Sequence, residues 1–287
     1  MNAKLCSLLL AASLAACTQT EPAAAPATSG VEALSAGASG LAPIRTFLAC
    51  LPDEAAVVAA HRGTGDALGA PENSVSGLEA LIARGYLMAE IDLAQIVDGT
   101  LIAFHDGVWE MKASGQGPVV STSAADFMTM RLRERENGPI GAESVPTLEQ
   151  MLDASEDRIY LELDMKTSAD MSRVIARVRD RGMVDQTILI ASNDEEAAYL
   201  IENASDFVLS LPSRMAVDGQ GIWVGGGWRD GLRDIPKDAV VLGSQWQKGG
   251  GNAAGPLDIL ATDQITRFDP VEGLRDRAAF EACLAEG

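Results

Sequence analysis

From residue 56 onward the chain alternates short apolar runs with segments of helical period. AVVAAHRG, residues 56–63, is apolar until it ends in a polar cluster. SVSGLEALIARG, residues 74–85, puts Val75, Leu78, Leu81 and Ile82 at helical spacing. Ser76 and Glu79 have the spacing of a capping box, and Gly85 is a suitable stop. Two strands joined by a turn follow, residues 87–96 and 101–104. Residues 107–145 read as a long, irregular insertion. TLEQMLDAS then reads as a helix, IYLELDMK as a strand and MSRVIARVRDRG as a helix. TILIAS is a strand, EEAAYLIENAS a helix and DFVLSLP a strand. IWVGGGW, AVVLGSQW and LDILATDQ look like further strands between Gly-rich loops, and VEGLRDRAAFEACLAE closes the chain as a helix.

About eight strands with helices between most of them predict an α/β protein with a parallel sheet. Over residues 44–287, with no obvious internal linker, the best solution is a single (β/α)8 TIM barrel with a small insertion after the third strand. A doubly wound open sheet is the alternative.

The first residues carry a different pattern. MNAKLCSLLLAASLAAC has one positive charge, Lys4, then a short apolar run and small residues before Cys17. That is an export signal over residues 1–17, too short to span a bilayer. Leu14-Ala15-Ala16-Cys17 resembles the bacterial lipobox, in which the cysteine is lipidated; a plain cleaved signal is the alternative. Residues 18–43, rich in Ala, Pro, Ser, Thr and Gly, form a flexible tether. The expected location is the cell envelope, with the membrane contacted through the lipid anchor only.

Composition narrows the partners. The 287 residues are 47% hydrophobic, which allows a sizeable core, and the net charge is −19. Such acidity excludes nucleic acid as a partner, which needs clustered Lys and Arg. Two of the four cysteines, Cys50 and Cys283, fall near the ends of the folded part. In an oxidising compartment they form a disulfide if the chain ends meet, or remain two separate buried thiols.

The polar residues inside the apolar runs carry the chemistry. His61 ends the first strand, Glu90 and Asp92 lie late in the second, His105 ends the third, and Glu162, Asp164 and Lys166 lie in the fourth. Residues two apart on a strand share a face. Polar residues at the C-terminal ends of barrel strands gather at one mouth, where active sites of that fold lie. Burying several acids together is costly unless a cation or paired bases compensate, and a cluster of three carboxylates suits a hard ion such as Mg2+ or Ca2+. Both of the chain's histidines reach this mouth.

His61-Arg62-Gly63, Pro71-Glu72-Asn73-Ser74, Glu90-Ile91-Asp92 and His105-Asp106, in that order, resemble the motifs of the glycerophosphodiester phosphodiesterase family. Pro146-Thr147-Leu148-Glu149, Asp164-Met165-Lys166 and Ala261-Thr262-Asp263 resemble its later motifs. The resemblance implies hydrolysis of glycerophosphodiesters to sn-glycerol 3-phosphate and an alcohol. It implies that His61 and His105 are the acid/base pair and that Glu90, Asp92 and the fourth-strand acid hold one divalent cation. Arg62 and Lys166 would hold the phosphate, with Glu72 and Asn73 in support; Asn73 either orients a neighbour or caps the next helix. Asp164 stands where the family usually has Glu, so Asp164 is the expected ligand and Glu162, on the same face, the other candidate. The sequence departs from the family at Trp109-Glu110-Met111-Lys112 and around Trp246, and Trp228 and Trp246 either line a pocket or pack in the core. A relative acting on lysophospholipid or sphingomyelin with a cyclic phosphate product, and a non-catalytic binding lipoprotein, are the competing readings.

Overall fold

In the computed structural model the described residues are 40–52, 55–63, 68–166, 168–210, 241–242, 245–246, 259–262, 265 and 269–286. Among the described residues eight strands pair in parallel: β1 (Ala56–Ala60), β2 (Met88–Gln95), β6 (Tyr160–Met165), β7 (Thr187–Ile190), β8 (Val208–Ser210), the two-residue β9 (Val241–Leu242) and β10 (Gln245–Trp246), and β11 (Ile259–Thr262). Their order is β10-β11-β1-β2-β6-β7-β8-β9. Helices α2 (Val75–Ile82), α4 (Leu148–Ser155), α5 (Met171–Asp180) and α6 (Asp194–Asn203) fall between the strands. No helix among the described residues is long and apolar enough to cross a membrane.

Strand alternation divides the core in two. Val58, Ala60, Ala89, Ile91, Leu93, Leu161, Leu163 and Leu189 pack with the helices. Val57, Ala59, Met88, Tyr160, Ile188, Val208 and Ile259 share the opposite, inner face. Continuing that face along each strand in steps of two gives His61, then Glu90 and Asp92, then Glu162 and Asp164. The inner face is therefore apolar where the strands begin and acidic where they end. Its apolar end is covered by α1 (Ile44–Cys50) and α7 (Arg277–Glu286), whose Ile44, Phe47, Leu48 and Phe280 join the inner cluster. The Phe47 ring lies 5.0 Å from that of Tyr160 and 5.5 Å from that of Phe280. A disulfide between Cys50 and Cys283 ties these two helices.

Three local expectations are corrected. Strand β3 (Leu101–Ala103) is not one of the parallel strands: it turns back and pairs antiparallel with β2. Only Ile96 to Thr100 separate the two, too few residues for the crossover a parallel neighbour needs. The cap of α2 is Ser74, whose side chain accepts from Gly77 N–H, rather than Ser76; the capping box sits at α4, between Thr147 and Gln150. Residues 271–272 form β12 (Val271–Glu272), antiparallel to β1, and the last helix starts only at Arg277.

Residues 107–145 are more ordered than their sequence suggests. They hold a short helix α3 (Ala124–Phe127) and a hairpin of β4 (Arg131–Arg133) and β5 (Ile140–Ser144). Phe104, Trp109, Val119, Phe127, Leu132 and Val145 give this segment a core of its own. Trp109 is fully buried against Phe104 and donates to the Thr122 hydroxyl at 2.7 Å.

Candidate active site

The site begins with two residues in an unusual backbone conformation. Arg62 (φ 59°) and Asn73 (φ 51°) both occupy the left-handed region. Asparagine tolerates it; arginine rarely adopts it, and such outliers cluster at functional sites. The turn is held from both sides. Arg62 N–H donates to Glu90 Oε2 at 2.7 Å, and Asn73 N–H donates to the Arg62 carbonyl at 2.7 Å. Gly63 (φ 72°) follows, and a Cβ there would come within 2.9 Å of Ile91 Cδ1. The first two motifs thus lock onto β2.

Strands β2 and β6 align Glu90 with Glu162 and Asp92 with Asp164. Glu90, Asp92 and Asp164 each offer an oxygen within 4.8 Å of the others. Asp92 is fully buried and Glu90 nearly so. Asn73 orients Asp92: its amide donates to Oδ2 at 2.8 Å and its carbonyl oxygen accepts Asp92 N–H at 2.9 Å. Lys166, the first residue beyond β6, brings Nζ to 2.7 Å from Asp92 Oδ1 and 2.5 Å from Asp164 Oδ2. Arg62 Nε lies 3.7 Å from Asp92 Oδ2.

Burial first, and the Asp92 charge second, push the Glu90 carboxyl well above its ordinary pKa, against the Arg62 N–H that favours its charge. Lys166 is raised to about 12 because Asp92 and Asp164 outweigh the cost of its burial. Glu162 lies outside the group of three. Both its oxygens lack a hydrogen-bond partner among the described residues; Ser210, nearby, does not complete one in geometry. Burial, chiefly, lifts Glu162 to about 7. Three convergent carboxylates, two of them desolvated, make a donor set of hard oxygens that fits a divalent cation.

The two histidines flank this cluster. His61 Nε2 is 4.0 Å from Glu90 Oε2. His105 follows β3, whose ladder extends to the Phe104 N–H bonded to the Asp92 carbonyl. His105 Nδ1 contacts Asp106 Oδ1 at 2.7 Å, and that hydrogen bond, ahead of the opposing burial, holds Asp106 below the usual carboxylate range. His105 and Lys166 open onto one cleft of about 550 Å³, lined also by Met165, Ser192, Asn193 and Glu196.

The model of the glycerophosphoryl diester phosphodiesterase family matches residues 61–205. The chain belongs to this family. It is therefore a phosphodiesterase of the glycerophosphodiester class. Solved structures with the same fold include a glycerophosphoryl diester phosphodiesterase from Parabacteroides distasonis, 17% identical, with 85% of this chain and 92% of that chain covered at a TM-score of 0.59. A glycerophosphodiester phosphodiesterase from Agrobacterium tumefaciens is 18% identical over 79% of this chain and 99% of its own, at 0.55. A phosphodiesterase from Oleispira antarctica, solved with the product sn-glycerol-3-phosphate, is 16% identical over 76% and 95%, at 0.50. A search of curated proteins gave no match.

Within this family member His61, Arg62, Glu72, Asn73, Glu90, Asp92, Asp164 and Lys166 form one connected set through the contacts above and the Arg62–Glu72 pair. Glu162 lies outside the group of three, and His105 shares the cleft with Lys166. Cys17, Trp228 and Asp263, and the side chain of Trp246, lie outside the described residues. The sequence marks Lys112 only as part of a departure from the family and gives it no role; it is buried and donates to Glu72 Oε2 at 2.8 Å and to Glu136 Oε2 at 3.2 Å. Sequence reading gave no role to Asp106 either, although its place beside His105 was signal enough.

Proposed function

We propose that this protein hydrolyses glycerophosphodiesters to sn-glycerol 3-phosphate and an alcohol, with Glu90, Asp92 and Asp164 holding one Mg2+ or Ca2+ ion. The observation that carries the reading is the meeting of three acids, two basic side chains and a histidine–aspartate pair at one end of a parallel sheet. A phosphodiester has one negative charge, which spreads over the non-bridging oxygens in the transition state. The cation would stabilise that charge as a Lewis acid. Arg62 and Lys166 bind the same oxygens, Arg62 through its planar fork.

His105 is suited to accept a proton. Asp106, held ionised, can only accept a hydrogen bond, so the Nδ1 proton of His105 points to Asp106 and Nε2 keeps its lone pair. That nitrogen takes a proton from the attacking water, whose oxygen bonds to phosphorus as the bond from phosphorus to the alcohol oxygen breaks. His61, beside Glu90, returns a proton to the departing alkoxide.

The finer architecture belongs to the same reading. β9 pairs with β8 and β10 with β11, although β9 and β10 are close neighbours in sequence. Chain continuity then draws the two ends of the strand order together, supporting a closed (β/α)8 barrel with residues 107–145 as its insertion. The export signal over 1–17, lipid attachment at Cys17 and a tether over 18–43 place this domain on the cell envelope. Support for that is the lipobox-like stretch alone.

The test uses the full chain with glycerophosphocholine and divalent cations, with and without EDTA, following glycerol 3-phosphate and choline separately. The reading requires metal-dependent glycerol 3-phosphate and its loss in Glu90→Ala and Asp92→Ala. Activity that survives both substitutions overturns the metal assignment. Cyclic phosphate in place of glycerol 3-phosphate overturns the assigned reaction.

A further inference from the structure

Lys112 belongs to the segment in which this chain departs from its family, yet it ends at the motif that supports Arg62. Its backbone is firmly placed. Lys112 N–H donates to the Trp109 carbonyl at 3.2 Å, its carbonyl accepts Arg133 N–H at 2.8 Å, and Trp109 is anchored in the segment's core. The side chain is buried and Nζ meets Glu72 Oε2 at 2.8 Å. Arg62 Nη1 shares the same carboxylate, at 3.2 Å from Oε1 and 3.4 Å from Oε2. The Arg62 contact is thus the longer and looser of the two. A second link joins the segment to the helix that follows this motif: Glu143 on β5 accepts Ser76 N–H, in the first turn of α2, at 3.0 Å and the Ser76 hydroxyl at 2.5 Å.

An arginine opposite a lone carboxylate closes on it with two parallel hydrogen bonds. Glu72 is not lone, because Lys112, which also reaches Glu136 at 3.2 Å, takes its shorter bond and offsets part of its charge. Arg62 therefore stays turned toward Asp92 and the cation ligands, where a phosphate is to bind. We propose that Lys112 is a positioning residue for substrate phosphate: by engaging Glu72 it keeps the Arg62 guanidinium from pairing fully with that carboxylate. This rests on the phosphate-binding role given to Arg62 above. It assigns to the insertion a part in substrate affinity that acts through two other side chains.

The experiment measures binding of inorganic phosphate and of glycerol 3-phosphate to the full chain by calorimetry, with KM and kcat for glycerophosphocholine alongside. Lys112→Met should weaken phosphate binding and raise KM about tenfold while kcat changes by less than about threefold, the scale of one charge-assisted contact. Lys112→Arg keeps the charge and should restore affinity. Lys112→Gln can donate to Glu72 but leaves it charged, and should behave like Lys112→Met. In a Glu72→Gln background, Lys112→Met should have no further effect, since the carboxylate it restrains is gone. Unchanged phosphate affinity in Lys112→Met, or an equal loss with and without Glu72, overturns the proposal. An inactive wild type that still binds phosphate, with Lys112→Met weaker, would refute the hydrolase reading and keep this one.

Discussion

Lys166 Nζ stands 2.7 Å from Asp92 Oδ1 and 2.5 Å from Asp164 Oδ2, so a lysine and a divalent cation would draw on the same two aspartates. With both present, the lysine limits how much negative charge the cation receives and keeps a positive group facing the phosphate. Lys166→Met should therefore separate binding from turnover. Divalent-cation affinity, by calorimetry, should rise because a competitor has gone, while kcat falls on the order of 10²-fold for want of a transition-state contact. A parallel loss of both would show that Lys166 organises the carboxylates instead of competing for them.

Asn73 tests how the backbone and the site depend on each other. It is buried, has φ of 51°, and makes both hydrogen bonds that orient Asp92. Asn73→Ala leaves Asp92 N–H unpaired and puts an alanine in the left-handed region, a loss of about 3 kcal/mol. Asn73→Gly loses the same hydrogen bonds without the strain, so it should be the more stable of the two by about 1 kcal/mol in urea denaturation. Equal stabilities would mean that the local backbone relaxes freely, against the tight Arg62 contact seen here.

What the sequence made legible follows a physical division. Residues that share a strand face, such as Glu90 with Asp92, are placed by a period of two and need no knowledge of the rest of the fold. Asp164 over Glu162 as partner of that pair rested on the family resemblance; the register between β2 and β6 sets Asp164 beside Asp92 and Glu162 beside Glu90, and Asp164 is the one that joins the group of three. The hairpin of β3 on β2 was signalled by Val97-Asp98-Gly99-Thr100, a turn too short for a crossover, and was obscured by counting every strand toward the barrel. Lys112 was not legible. It reaches Glu72 across 40 positions of sequence, and although its stretch stands out as a departure from the family, nothing local points to that partner. Val271 and Glu272 read as the start of a helix because local pattern cannot show that Ala56 and Val57 of β1 extend past its pairing with β2 and take β12 instead.

The disulfide should matter for stability and not for chemistry. Cys50 and Cys283 are 233 positions apart and join the helices that cover the apolar end of the sheet, remote from the acidic end. Closing so long a loop restricts the unfolded chain, an effect of about 5 kcal/mol in the chain-entropy relation. Cys50→Ser with Cys283→Ser should lower the urea midpoint markedly and leave KM for glycerophosphocholine unchanged. A change in KM would mean that the two ends of the sheet are mechanically coupled.

Glu162 gives a prediction in pH. Its carboxyl is raised to about 7 in the folded protein, mainly by burial, against an ordinary 4.5. An acid raised in this way is more easily ionised when unfolded, so the unfolded state binds fewer protons between these two values. In metal-free protein its contribution to stability is therefore undiminished below pH 4.5 and falls as pH rises to about 7, by a few kcal/mol. Glu162→Gln, which stays neutral, should flatten that slope and be the more stable protein above pH 7 in EDTA. The comparison is urea denaturation of both proteins at closely spaced pH values between 4.5 and 8. Parallel curves would show that Glu162 is solvated or paired in solution, and that the acidic end of the sheet carries less strain than its unpartnered oxygens imply.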